Sequence, residues 1–166
     1  MPTIDNTCFI HATAVIIGDV TLGKHCGVFP YAVIRGDENT IVIGEGSNIQ
    51  DGCIIHVSES SSCSIGANVS IGHGAVVHGA TIEDNCIIGM HATVMNHAVV
   101  GSGSIIGAGA LVTQDSVIPG YSLVVGVPAK VVKQDMGLLP MIQKNAETYR
   151  RIAQEHLHGK YPLYSP

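Results

Sequence analysis

Large apolar residues recur at every sixth position along most of the chain. Ile10, Ile16, Leu22, Val28 and Ile34 form one run, Ile43, Ile49 and Ile55 a second, and Ile65, Ile71 and Val77 a third. The longest comprises Ile82, Ile88, Val94, Val100, Ile106, Val112, Ile118 and Val124. Four residues after the anchors of that run stand small side chains: Cys86, Ala92, Ala98, Ser104, Ala110, Ser116 and Ser122. A helix would repeat every 3.6 residues and a lone strand every 2. A period of six, with one large and one small inward site per unit, predicts a short strand and a corner, repeated. Three such units close an 18-residue coil, and stacked coils make a parallel β-helix of triangular section, an all-β solenoid.

The register breaks twice. The step from Ile34 to Ile43 is nine, and that from Ile55 to Ile65 is ten, through Ser58-Glu59-Ser60-Ser61-Ser62. The extra residues leave a corner of the prism, where functional groups commonly sit. After Val124 the pattern changes, and Gly126-Val127-Pro128-Ala129-Lys130 reads as the exit from the last coil. The solenoid is therefore expected over 1–132, with a helix and tail in 133–166 packed against it. The helix is expected from about Pro140 to His158, with Met141, Ile142, Ala146, Tyr149, Ile152, Ala153 and Leu157 on its apolar stripe.

Composition agrees with a narrow interior. There is no Trp, only two Phe, and 20 Gly, whereas a bundle or sandwich of 166 residues would draw on more aromatic bulk. The formal charge of -5, without a basic run, argues against nucleic acid and against an anionic membrane surface. No apolar run approaches the roughly 20 residues of a membrane span. The start, Met1-Pro2-Thr3-Ile4-Asp5, carries no secretory pattern, so a cytoplasmic setting is expected. The five cysteines include no Cys-x-x-Cys pair, and Cys26, Cys53 and Cys86 fall in the small-residue slot, which reads as core packing.

Counting residues against the coil sorts the polar side chains into columns. His56 follows Ile55 and His78 follows Val77, a step of 22, which is one coil plus the four-residue insertion. Arg35 follows Ile34, 21 residues before Ile55, which is one coil plus the three-residue insertion. Arg35, His56 and His78 thus form one outward column, with neighbours roughly 4.8 Å apart. Asp51 and His73 each stand two residues past an anchor, Ile49 and Ile71, and make a second column with Gln50 beside it. The two columns lie on different sides of the prism. Packed about a threefold axis, one chain's first column faces its neighbour's second, which implies a homotrimer with intersubunit sites. Three neutral imidazoles with an open fourth position form the ligand set of a catalytic zinc site. Such an ion lowers the pKa of bound water to about 7, so metal-bound hydroxide is the expected nucleophile, with Gln50 placed to orient it. Arg35 and Asp51 are expected to pair across the interface. His91 and His97, on the following coil, are read as surface residues, and Tyr149 as helix packing.

The runs Val33-Ile34-Arg35-Gly36-Asp37-Glu38, Asn48-Ile49-Gln50-Asp51-Gly52 with His56, and Ile71-Gly72-His73-Gly74-Ala75-Val76-Val77-His78-Gly79 resemble the gamma-class carbonic anhydrase family over nearly the whole chain. The resemblance implies a left-handed β-helix of hexapeptide repeats with a C-terminal α-helix, assembled as a homotrimer. It implies zinc, with iron or cobalt as substitutes, held by His56 and His78 of one chain and His73 of its neighbour. It matches Arg35 and Asp51 to the intersubunit pair with Asp37 beside them, and Gln50 and Glu38 to groups near the metal-bound solvent. The family's prototype carries a long acidic loop after the first ligand. Here that loop is the short Ser-rich insertion with Glu59 as its only acid, so the chain resembles the short-loop subclass and Glu59 is the candidate proton shuttle. The expected reaction is reversible hydration of carbon dioxide to bicarbonate. The alternatives are ester or thioester hydrolysis at the same metal, a catalytically weak binding trimer, and acyl transfer from coenzyme A.

Overall fold

In the computed structural model, which describes residues 1–164, the six-residue period winds the chain into a left-handed parallel β-helix with one C-terminal helix. The last two residues of the expected 133–166 segment lie outside that description. Three interior ladders account for the apolar anchors. Ile16, Ile34, Ile55, Val77, Val94 and Val112 stack as direct Cα partners on one side. Ile10, Val28, Ile49, Ile71, Ile88, Ile106 and Val124 stack on a second. Ile4, Leu22, Ile43, Ile65, Ile82, Val100 and Ile118 make the third. Side chains in strands alternate between faces, so each anchor turns inward and its neighbours turn out. Ile34, Ile55, Val77, Ile71 and Ile88 are accordingly 0% exposed.

The five cysteines are free and buried, as core packing requires. Burial pushes the thiols of Cys53 and Cys86 up to about 11 and that of Cys63 up to about 12. Corners are tight. A Cβ on Gly72 would stand 2.8 Å from the Met90 backbone nitrogen of the coil above, so the residue before His73 has to be glycine.

The strand Ser122–Val125 is closed by an antiparallel strand, Lys130–Gln134, which runs through the position expected as the solenoid's end at 132. A 3-10 turn, Met136–Leu138, then leads into α1, Leu139–Leu157, with Pro140 in its first turn. The helix runs back along one prism face, contacting the strands Ser70–Ile71, Asn48–Ile49, Gly27–Val28 and Phe9–Ile10. Ile142, Ala146 and Ala153 are its buried residues. Tyr149 meets Phe29 edge-on at 5.7 Å and His156 stacks on Phe9 at 4.7 Å. Gly27 permits this approach, since a Cβ there would lie 3.1 Å from the Ala153 Cβ. Two residues expected on the stripe are instead exposed: Met141 at 57% and Leu157 at 46%. Met141 is rotated off the row that starts at Ile142. Leu157 stands beyond His156, which already covers the first coil. Among the described residues, no helix is long and apolar enough to cross a membrane.

Candidate metal centre

The first column forms as the register dictates: Arg35 pairs with His56, and His56 with His78, as direct strand neighbours. The two imidazoles meet edge to face with centroids 4.9 Å apart. The three-residue insertion follows Arg35 directly and folds Asp37 and Glu38 back onto this column. Asp37 Oδ2 accepts from the Arg35 guanidinium, and Asp37 Oδ1 lies 3.0 Å from His56 Nε2. The Arg35 contact, followed by that to His56, holds the Asp37 carboxyl below the usual carboxylate range. Asp37, Glu38 and His56 bring potential ligand atoms within 4.8 Å of one another.

In the second column His73 Nδ1 lies 2.8 Å from Asp51 Oδ2, and the His73 backbone N–H donates to Gln50 Oε1 at 3.2 Å. Gln50 is 4% exposed and its amide nitrogen donates to Asn48 Oδ1 at 3.0 Å, while Asn48 in turn donates to Ser70 Oγ. Gln50 is therefore held by a chain of hydrogen bonds, at the position the column arithmetic assigned.

Two residues near the ligands were not assigned to the site from sequence. Tyr149, read as helix packing, does pack on Phe29, yet its hydroxyl also reaches His73 Nε2 at 3.3 Å. Burial, and next the Asp51 charge, push the phenol above its usual range, so it remains a donor. Asn96 was overlooked. It stands two residues past anchor Val94, on the coil after His78, and its Oδ1 lies 2.5 Å from His78 Nδ1. Register would not have placed it there, because the partner of His78 on that coil is Met95, one residue earlier. His91 and His97 are exposed at left-handed corners, as expected, with His97 Nδ1 3.2 Å from Ser61 Oγ. Glu59 is exposed at the tip of a turn closed by Ser58 and Ser61.

The donor chemistry tests whether these residues suit an ion. Each candidate ligand directs one ring nitrogen at an oxygen: His56 Nε2 at Asp37, His73 Nδ1 at Asp51 and His78 Nδ1 at Asn96. Carboxylate and amide oxygens only accept, so these nitrogens donate and the opposite nitrogens present lone pairs. Two of those, His56 Nδ1 and His78 Nε2, face each other at 3.0 Å. Such outer partners fix the ring of nearly every metal-ligating histidine, and convergent lone pairs are what a Lewis-acidic cation satisfies. The residues fit a metal. His78 shares the ladder of His56, whereas His73 stands on the ladder of Ile49 and Ile71, so one chain keeps the two columns apart. A cavity of about 260 Å³ opens beside His73 between α1 and the solenoid, lined by Gln50, Ile87, Met90, Asn145 and Tyr149.

Residues 79–114 match the family described as Bacterial transferase hexapeptide (six repeats). A Methanocaldococcus jannaschii protein described as "Probable carbonic anhydrase" is 55% identical over 142 residues, covering 85% of this chain and 89% of that protein. The Arabidopsis thaliana protein described as "Gamma carbonic anhydrase 1, mitochondrial" is 38% identical over 162 residues, 93% of this chain but 59% of that longer protein. A solved structure from Anaplasma phagocytophilum, described as a hexapeptide transferase family protein, aligns with a TM-score of 0.88 at 37% identity, covering 92% of this chain and 91% of that one.

Proposed function

Because the chain belongs to the gamma-class carbonic anhydrase family, we propose that it interconverts carbon dioxide and bicarbonate at a metal ion shared between subunits of a homotrimer. The observation that carries this reading is the matched set of three histidines. Each has one nitrogen engaged by an oxygen acceptor; the opposite nitrogens of His56 and His78 face each other and that of His73 meets the Tyr149 hydroxyl, on two columns that one chain keeps apart. His56 and His78 of one subunit and His73 of the next would hold the ion, with zinc as the proposed metal and iron or cobalt as substitutes. When bound, such an ion lowers the pKa of water to about 7, supplying a nucleophile at neutral pH.

The remaining residues orient and connect. Gln50, fixed by Asn48, offers its amide beside His73 to hold solvent or substrate in place. Asp37 locks the His56 ring and is itself held by Arg35. A guanidinium has five donors, so Arg35 can serve Asp37 in its own chain and Asp51 across the interface together. Glu38 brings its carboxylate within 4.8 Å of the His56 and Asp37 ligand atoms, and is the preferred carrier of the proton released on hydration, with Glu59 as the next stage toward solvent.

Subunit packing has its own support. Val15, Val33, Ile54, Val76, Thr93 and Leu111 stack as outward neighbours on the ladder that carries Arg35, His56 and His78. Val15 and Ile54 are 42% and 45% exposed in the single chain. A contiguous apolar strip beside a half-built site suits contact with a second copy. Metal analysis of anaerobically purified protein, followed by a carbon dioxide hydration assay, tests the proposal. Metal-loaded trimer should turn over, and no hydration above a His78→Ala control would overturn it.

A further inference from the structure

We propose that Asn96 is a positioning residue that selects the tautomer of His78 and ties it to the turn Ser58–Ser61. The proposal rests on the reading of His78 as a metal ligand. Asn96 spans two partners with opposite ends of one amide: Oδ1 lies 2.5 Å from His78 Nδ1, and Nδ2 lies 3.1 Å from Ser58 Oγ. The amide oxygen cannot donate, so His78 Nδ1 carries the hydrogen and Nε2 keeps the lone pair that faces His56. Turned the other way, the amide would present N–H groups to Nδ1. The imidazole hydrogen would then sit on Nε2, aimed at the place where the ion should bind.

What holds the amide in the productive sense is the turn. Ser58 and Ser61 exchange backbone hydrogen bonds at 3.1 and 3.0 Å, closing the four-residue insertion on itself. Asn39 Nδ2 donates to the carbonyls of Ser58 and Glu59, and the Ser61 hydroxyl donates to the Gly79 carbonyl. Ser58 Oγ is therefore held in place, and by accepting from Asn96 Nδ2 it leaves Oδ1 turned toward His78. The insertion so serves a purpose beyond carrying Glu59: it holds the far side of an amide whose near side sets a ligand's ring.

The experiment measures zinc affinity of the full-length protein by competition with a chromophoric chelator, for wild type, Asn96→Leu and Asn96→Asp. It is paired with nitrogen-15 imidazole spectra of the metal-free protein, which distinguish the two tautomers. Loss of an outer partner typically costs 10- to 100-fold in metal affinity, and a loss of about that size is expected for Asn96→Leu. Asn96→Asp keeps an acceptor for Nδ1 and should restore most of it, which a merely structural role for the amide would not predict. Wild-type His78 should carry its hydrogen on Nδ1, and Ser58→Ala should weaken that preference. Zinc binding by Asn96→Leu equal to wild type, or an Nε2–H tautomer in wild type, overturns the inference alone. A wild type that binds no zinc overturns the metal reading itself.

Discussion

If one subunit supplies His56 and His78 and its neighbour supplies His73, two inactive variants should repair each other. His78→Ala leaves the second column intact, with Asp51, Gln50 and Tyr149 around His73. His73→Ala leaves Arg35, Asp37, His56 and His78 intact. Neither homotrimer has a complete ligand set. In a head-to-tail ring every contact joins the first column of one chain to the second column of the next. Random assembly of equal amounts puts both variants in roughly three quarters of the trimers. Each of these contains a single contact in the repairing order, so about a quarter of all sites should be whole. Zinc content and carbon dioxide hydration should both return to about that fraction of wild type after the two proteins are denatured together and refolded, with mixed trimers verified by native mass spectrometry. Mixed trimers that stay at the level of the separate variants would refute the intersubunit site, because a site built within one chain gains nothing from mixing.

Four further outcomes follow from the same geometry. Ile54→Lys places a charge in the outward apolar strip, where Ile54 is 45% exposed in the single chain, so it should dissociate the trimer and abolish zinc binding while circular dichroism stays that of the β-helix. Ile55→Ala removes a side chain that is 0% exposed in the adjacent inward ladder, and should cost about 2–5 kcal/mol in denaturant unfolding at fixed protein concentration, well above Ile54→Ala measured on the dissociated protein. Thiol reagents act on thiolates, so Cys53, Cys63 and Cys86 should stay unlabelled at pH 8 and react fully in denaturant. Because burial raises Cys53, Cys63 and Cys86 in the folded protein, their contribution to stability is whole below the unfolded thiol pKa of about 8.5. It declines as pH rises from there toward about 11 and 12, visible as a falling thermal midpoint in that alkaline window.

The interior of this protein was legible in sequence because a solenoid repeats one environment. Once Ile34, Ile55 and Val77 are recognised as successive anchors, the two insertions only add to the count, and the ladder follows. The same arithmetic placed Arg35, His56 and His78 in register, and Asp51 under His73, because a β-ladder transmits position from one coil to the next without slack. What it could not transmit is reach. Asn96 and Tyr149 reach His78 and His73 with the ends of their side chains, one from the coil above and the other from a helix more than 70 residues downstream in sequence, His73 and Tyr149 being separated by 76 positions. Helical periodicity put Tyr149 on the packed face correctly and said nothing of its hydroxyl, which lies past the apolar ring that the period detects. Met141 and Leu157 show the converse failure: their apolar character satisfied the stripe, but the groove beneath α1 is shorter and narrower than the stripe drawn.

The same distinction explains where the chemistry resides. A β-helix surface offers fixed stations about one strand spacing apart, roughly 4.8 Å, too far for adjacent backbones alone to set a ring's tautomer. Each histidine therefore needs an oxygen brought in from outside its own station, and each finds it differently. His73 uses the residue directly below it, Asp51, which the period supplies. His56 uses Asp37, which only the three-residue insertion can fold back onto the column. His78 uses Asn96, whose other end is held by the turn of the four-residue insertion. The two interruptions of the repeat thus serve the two histidines whose neighbours in register, Arg35 and one another, cannot accept a hydrogen bond from both. Deleting the three-residue insertion would leave the hydrophobic ladders continuous and remove the oxygen that orients His56, and deleting the four-residue insertion would release the amide that orients His78.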